Sequence, residues 1–233
     1  FYYAKTMFMK KIYLNSTNIL KKKSIYLIRH GETDLNRQGV VQGSGVDSML
    51  NEWGEAQAAA FFDAYQHVPF DKIYTSTLQR THQSVRGFIK QGIPSESYEG
   101  LNEISWGIRE GKEPNTGDSN YYRNLVAAWQ NGDVDQSAEG GESPVQVRER
   151  QIPVIETILS RPHERNVLIA MHGRAIRVLL TTLFNQPLVH MDDYEHSNLC
   201  LYRLKYCYDT GLFELEVSND ITHLLSLEIP QTL

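Results

Sequence analysis

Residues 26–36 read YLIRHGETDLN: an apolar run that meets Arg29, His30 and Gly31 and then turns wholly polar. A short apolar run ending at a glycine reads as a buried strand. Solvent alone would explain one such ending, since arginine is mostly exposed and glycine commonly opens a turn. The pattern recurs, however. Residues 166–173 read NVLIAMHG, with His172 and Gly173 in the places of His30 and Gly31. Between the two, DKIYT at 71–75 ends on Ser76 and Thr77, with Arg80 in the opening turn of the helical run that follows. Short apolar runs alternating with longer helical ones predict βα units and a mostly parallel sheet flanked by helices, an α/β fold. Such sheets hold ligands in the crevice outside the carboxyl ends of their strands. Two histidines and two arginines therefore meet at one edge.

Working outward, NEWGEAQAAAFFDAYQ (51–66) is predicted as a helix capped by Asn51, and LQRTHQSVRGFIKQ (78–91) as one capped by Ser76 or Thr77. A weak strand is expected near Ser97 and Tyr98. The run 142–160 is helical, with Pro144 in its first turn and Pro153 expected to kink or interrupt it. A helix over 174–184 and a hairpin around Asp209, Thr210 and Gly211 complete the pattern. The Gly-, Asp- and Asn-rich stretch 101–141 holds one predicted helix (119–130) and far exceeds an ordinary connection of up to ~15 residues, so it is expected to cap the binding face. Residues 24–233 form one domain in this reading, and residues 1–23, with Lys21, Lys22 and Lys23, an N-terminal leader outside the fold.

The chain has 233 residues, 41% of them hydrophobic, which allows a substantial core. Its net charge of -5 lacks the basic footprint of a nucleic-acid binder. No apolar run approaches the ~20 residues of a membrane span, and residues 1–23 lack the apolar core of a signal peptide. No nucleic-acid or membrane partner is expected, and the expected location is the cytoplasm. Cys200 and Cys207 fall on opposite faces of one predicted strand, so no disulfide joins them. Nothing in the sequence specifies an oligomeric state.

Arg29, Arg80, His30 and His172 repel one another unless an anion sits among them, and phosphate suits the forked donors of arginine. A metal site would need three or more converging ligands, and the arginines would repel the cation. No metal and no cofactor are expected.

Seven motifs now stand in order: RHGETDLN (29–36), QG (42–43), LNEWGEAQA (50–58), YTSTLQRT (74–81), LNEISWGIREG (101–111), GGES (140–143) and HG (172–173). Together they resemble the histidine phosphatase superfamily, the broad clan of the cofactor-dependent phosphoglycerate mutases, from residue 24 to about 205. The resemblance implies a phosphoglycerate mutase-like three-layer sandwich. It implies that His30 is the nucleophile that becomes a phosphohistidine, and that Arg29, Arg80 and His172 clamp the phosphoryl oxygens. Asn36 falls where the family places an amide donor, Gln42 and Gly43 in its substrate-binding segment, and Glu103 at its general acid. Glu110 reads as structural. His67, His82, His163, His190, His196 and His223 match no motif and read as surface or core residues.

Departures from the family pattern lie at Val40, at the spacing from Gly43 to Asp47, at Met49 and Asn51, and at Arg109. They alter the pocket rim and hence the substrate. Two alternatives to hydrolysis stay open, a phosphoglycerate mutase and a non-catalytic phosphate-binding protein. Residues 112–141 offer Lys112 and Arg123 against Asp118, Asp133, Asp135 and Glu139. This balance is expected to repel a second phosphate, which favours a phosphomonoester hydrolase acting on a small phosphorylated metabolite. Tyr121, Tyr122 and Trp129 are placed either to cover a ring-bearing leaving group or to pack their own helix.

Overall fold

The computed structural model describes residues 22–112 and 116–227; the leader up to residue 21 lies outside the described residues. Lys22 and Lys23, assigned to that leader, instead open β1 (Lys22–Arg29). Lys23 is fully buried, and its Nζ donates to the carbonyls of Arg161 and Glu164 at 3.0 and 2.5 Å. Burial pulls its pKa down to about 8.

Among the described residues six strands form one sheet, β1 with β2 (Lys72–Thr75), β3 (Ser95–Ser97), β4 (Asn166–Met171), β5 (Leu201–Cys207) and β6 (Leu212–Asp220), in the order β3-β2-β4-β1-β5-β6. The first four in that order run parallel, and the hairpin β5–β6 closes the sheet antiparallel. Register then decides the function. Arg29 pairs with Met171 and Thr75 with Ala170, so β1, β4 and β2 all end at one edge, and His30, His172 and Ser76 emerge there together.

The helices are α1 (Asp34–Arg37), α2 (Glu52–Tyr65), α3 (Gln79–Lys90), α4 (Thr116–Gln130), α5 (Pro144–Leu159) and α6 (Gly173–Leu183). Strand side chains alternate between faces. Ile25 and Leu27 join Ile155 and Ile158 of α5 and Ile176 and Leu179 of α6 on one face of the sheet. Ile28 meets Phe61 of α2 and Val85 and Phe88 of α3 on the other. A third cluster packs Trp106, Leu125 and Trp129 from the described part of the 101–141 segment against Val178 of α6 and Met191. No helix among the described residues is long and apolar enough to cross a membrane.

Asn51 caps α2 as expected, accepting from the Gly54 amide at 2.8 Å. The cap of α3 differs. Leu78 occupies the N-cap position without a side-chain bond, and Ser76 Oγ accepts from the Leu78 amide instead. Helix α5 runs through Pro153 without interruption. The amide that proline removes would have bonded the carbonyl of Glu149. Both residues are exposed, so that carbonyl is open to solvent.

Candidate active site

Gly31 is required by packing. A Cβ there would lie 2.7 Å from the carbonyl oxygen of Gly54, where the first turn of α2 crosses the strand end. Its amide donates to Ser84 Oγ of α3 at 2.9 Å, and the His30 amide donates to the Met171 carbonyl at 3.0 Å. These contacts hold His30 still.

The imidazole of His30 is 4% exposed. Its Nδ1 lies 2.7 Å from the Gly31 carbonyl, which can only accept, so Nδ1 carries the ring proton and Nε2 keeps a bare lone pair. Burial, and then the charges of Arg80 and Arg29, hold its pKa well below the ordinary 6.5. His172 is fully buried with its ring centroid 5.1 Å from that of His30. The same three causes, with His30 itself, depress its pKa. Its Nε2 lies 2.8 Å from Ser76 Oγ, and its Nδ1 is buried without a partner.

Arg80 is fully buried as well. It donates to the carbonyls of Val46 at 2.6 Å and Gly43 at 3.2 Å, and its Nε has no partner. Arg29 donates through Nη1 to the His196 carbonyl at 2.8 Å and to His196 Nδ1 at 3.3 Å, again with a buried, unpartnered Nε. Unmatched donors so close to two depressed histidines suit an anion.

Glu103 reaches the amino end of α6. Its Oε1 accepts from the amides of Ile104 and Ala175, both at 2.9 Å, and its Oε2 from that of Arg174 at 3.1 Å. Oε2 thus keeps lone-pair capacity for a proton. Asn36 takes the amides of Thr33 and Asn198 on its Oδ1, which leaves its NH₂ as the end available to a ligand. Gln42 bridges Thr33 and Ser48.

Arg29, His30, Asn36, Gln42 and Glu103 all line one cavity of about 490 Å³. Arg80 and His172 are not among its lining residues; both are fully buried, with the ring of His172 next to that of His30. Gly43 is not there either. It accepts from Arg80, and a Cβ on it would sit 2.1 Å from Glu110 Oε1. Glu110 in turn accepts from the Trp106 amide at 2.8 Å.

The cap side of the cavity departs from the electrostatics expected from the sequence. Asp133, Asp135 and Glu139 are exposed and line no part of it, whereas Arg109, Lys112, Arg123 and Arg174 do; the side chain of Asp118 lies outside the described residues. Counting charge along the segment mixed residues that face solvent with residues that face the site. His196, read as surface or core, lines the cavity too. Burial and the neighbouring Arg29 bring its pKa down to about 3. No motif marks it, because the loop before β5 brings it to the site. Arg174 did leave a signal: a cation in the first turn of a helix opposes the dipole. Val40 and Arg109, two of the departures from the family pattern, are lining residues as well. Among the described residues no group of three or more His, Cys, Asp or Glu could hold a metal.

A family model described as the histidine phosphatase superfamily (branch 1) matches residues 25–221. A Cronobacter sakazakii protein named "Probable phosphoglycerate mutase GpmB" is 30% identical over 208 residues, 86% of this chain and 94% of that one. The adenosylcobalamin/alpha-ribazole phosphatase of Salmonella typhimurium is 26% identical over 199 residues, covering 84% and 95%. Among solved structures, Bacillus stearothermophilus YhfR aligns with a TM-score of 0.74 at 26% identity, covering 87% and 99%. The mycobacterial glucosyl-3-phosphoglycerate phosphatase shares the fold, with a TM-score of 0.74 at 24% identity over 85% of this chain and 99% of that one.

Proposed function

The chain belongs to the histidine phosphatase superfamily, and from that membership we propose that it is a phosphomonoester hydrolase whose phosphoryl group passes through His30. The observation that carries this reading is the tautomer. A ring proton given to the Gly31 carbonyl leaves Nε2 unprotonated, beside His172 and near the unmatched Nε donors of Arg29 and Arg80.

In the first step Nε2 attacks phosphorus in line, the N–P bond forms and the P–O bond to the leaving group breaks. The imidazole becomes cationic as this happens, which strengthens its Nδ1–H bond to Gly31. Arg29, Arg80 and the free end of Asn36 stabilise the charge on the phosphoryl oxygens. Glu103 delivers the proton to the departing alkoxide. It then takes one from the water that attacks the phosphohistidine, releasing inorganic phosphate and a neutral His30. Gln42 belongs to the substrate wall, and Gly43 acts through Arg80. Residues 101–141 serve as the cap. The free thiols of Cys200 and Cys207 suit a reducing compartment, and we place the enzyme in the cytoplasm.

Rapidly quenched wild type should carry an acid-labile phosphate on His30 during turnover of an aryl phosphate, and His30→Ala should be inactive. An active His30→Ala enzyme, or label on another residue, would sink the mechanism. Relatives carry both phosphatase and mutase names. Supplying 3-phosphoglycerate with catalytic 2,3-bisphosphoglycerate separates the two: isomerisation well in excess of phosphate release would convert the reading to mutase.

A further inference from the structure

His196 belongs to no motif and takes no part in the steps above, yet the orientation of Arg29 depends on it. Among the described residues both hydrogen bonds of the Arg29 side chain go to this one residue, from Nη1 to the His196 carbonyl at 2.8 Å and to His196 Nδ1 at 3.3 Å. The carboxylate whose charge Arg29 feels most, that of Glu103, is engaged by three amides instead. A guanidinium can only donate. His196 Nδ1 therefore holds a lone pair and the ring proton sits on Nε2, and with a pKa of about 3 the ring is neutral when the enzyme works.

The ring is itself fixed. A Cβ on Gly173 would lie 3.1 Å from its Cε1 and 3.2 Å from both of its nitrogens, so the imidazole lies face-on against the glycine of the HG motif and fills the space a side chain there would need. The chain is pinned on both sides of it. The Ser197 amide donates to Asn219 Oδ1 at 2.9 Å, Asn219 Nδ2 donates to Glu195 Oε2 at 3.1 Å, and the Tyr202 hydroxyl donates to the Glu195 carbonyl. Asn198, two residues on, donates through Nδ2 to the His30 carbonyl at 3.1 Å. One loop thus orders the arginine and the backbone of the nucleophile together. A neutral acceptor also suits the position physically. A carboxylate there would grip Arg29 more firmly, but it would compete with the phosphoryl oxygens for the same charge. An imidazole lone pair orients the guanidinium and leaves its charge and its unpartnered Nε to the substrate.

We propose that His196 is a positioning residue of the phosphoryl clamp, whose Nδ1 lone pair sets the orientation of Arg29 without quenching its charge. This rests on the hydrolase reading above. Arg29 meets the phosphoryl group and not the leaving group. Loss of the His196 acceptor therefore slows every ester by the same factor, the opposite of the leaving-group dependence that a proton donor gives.

The test compares His196→Asn, whose amide oxygen takes the place of Nδ1, with His196→Gln, whose oxygen reaches the place of Nε2; the backbone carbonyl that Arg29 also uses stays in both. Each substitution is made in wild type and in Arg29→Met. Steady-state kinetics are measured on p-nitrophenyl phosphate and phenyl phosphate, and the dissociation constant of inorganic phosphate by calorimetry. His196→Gln should lose about ten- to hundredfold in kcat/KM, as removal of a hydrogen bond to a charged group does, by the same factor on both esters, and should bind phosphate more weakly. His196→Asn should stay within about threefold of wild type, and in Arg29→Met the two substitutions should become equivalent, because the group they act through is gone. Equal behaviour of His196→Asn and His196→Gln beside an intact Arg29 overturns the proposal. So does a His196→Gln loss that differs between the two esters by roughly tenfold or more, or an Asn–Gln difference that persists in Arg29→Met. If His196→Gln does not fold, His196→Leu takes its place in every comparison. Phosphate release from neither ester by wild type overturns the hydrolase reading, and the phosphate dissociation constants of the same variants then decide the role of His196.

Discussion

Two histidines held neutral in the interior make stability fall as the solution is acidified. His30 is 4% exposed and His172 fully buried, and both have pKa values well below the ordinary 6.5, first through burial and then through Arg80 and its neighbours. A group whose folded pKa is depressed binds fewer protons in the native state than in the unfolded chain. Stability is therefore complete above pH 6.5 and is lost as pH falls below it. From about pH 7.5 to about pH 5.5 each histidine that stays neutral when folded costs about 1.4 kcal/mol, so the pair costs about 2.7 kcal/mol. Lys23, lowered to about 8, acts above this window, and Glu96, lowered to about 2, acts below it. His196 and His223 share the direction of the buried pair and add to the wild-type slope, so the measurement is a difference. Urea unfolding of wild type, His30→Asn and the double variant His30→Asn/His172→Asn, in phosphate-free buffer at both pH values, should show the acid penalty shrink by about 1.4 and about 2.7 kcal/mol. Parallel losses in all three proteins would refute the claim that these rings are neutral in the fold.

Arg80→Ala should lower kcat/KM for p-nitrophenyl phosphate on the order of 10² to 10³, as loss of a preorganised donor does; a change of only a few-fold would remove Arg80 from the phosphoryl cage. Glu103→Gln should slow alkyl monoesters far more than p-nitrophenyl phosphate, by a differential on the order of 10² or more, because a phenolate departs with little help from a proton. Equal losses on both substrates would make Glu103 a binding residue. Gly43→Ala brings a methyl group to 2.1 Å from Glu110 Oε1 and must push that carboxylate off the Trp106 amide. A destabilisation of about 1–3 kcal/mol is expected in urea melts, and an unchanged midpoint would show that Glu110 can shift freely.

Local pattern carried much of this protein. The apolar run that stops at Arg29 and His30, its repeat at Met171 and His172, and the Asn51 cap are properties of short segments, and short-range backbone physics suffices to read them. Strand β4 begins and ends at the residues read from its apolar run, 166 to 171. Parallel pairing followed from the alternation of strand and helix, and it brings the two histidines to one edge. Two local rules failed: Ser76, beside His172, bonds an amide without capping α3, and Pro153 sits inside an uninterrupted helix with its face exposed.

Three-dimensional contact alone decided the remainder. A bond from Nδ1 to the Gly31 carbonyl selects which nitrogen of His30 is the nucleophile, and no sequence pattern contains a tautomer. His196 reaches Arg29 across 167 positions of chain. The acids counted along the cap segment did not predict the charges that line the cavity, because a charge acts by its distance and its burial. Asp133, Asp135 and Glu139 lie in water, and Arg174, a single residue past the HG motif, lies inside. Sequence by itself determined which chemistry the edge of the sheet holds, since that chemistry resides in residues next to strand ends. The tertiary structure decided what the cavity admits, since its walls are assembled from segments remote from one another, and only folding sets which of their side chains face inward.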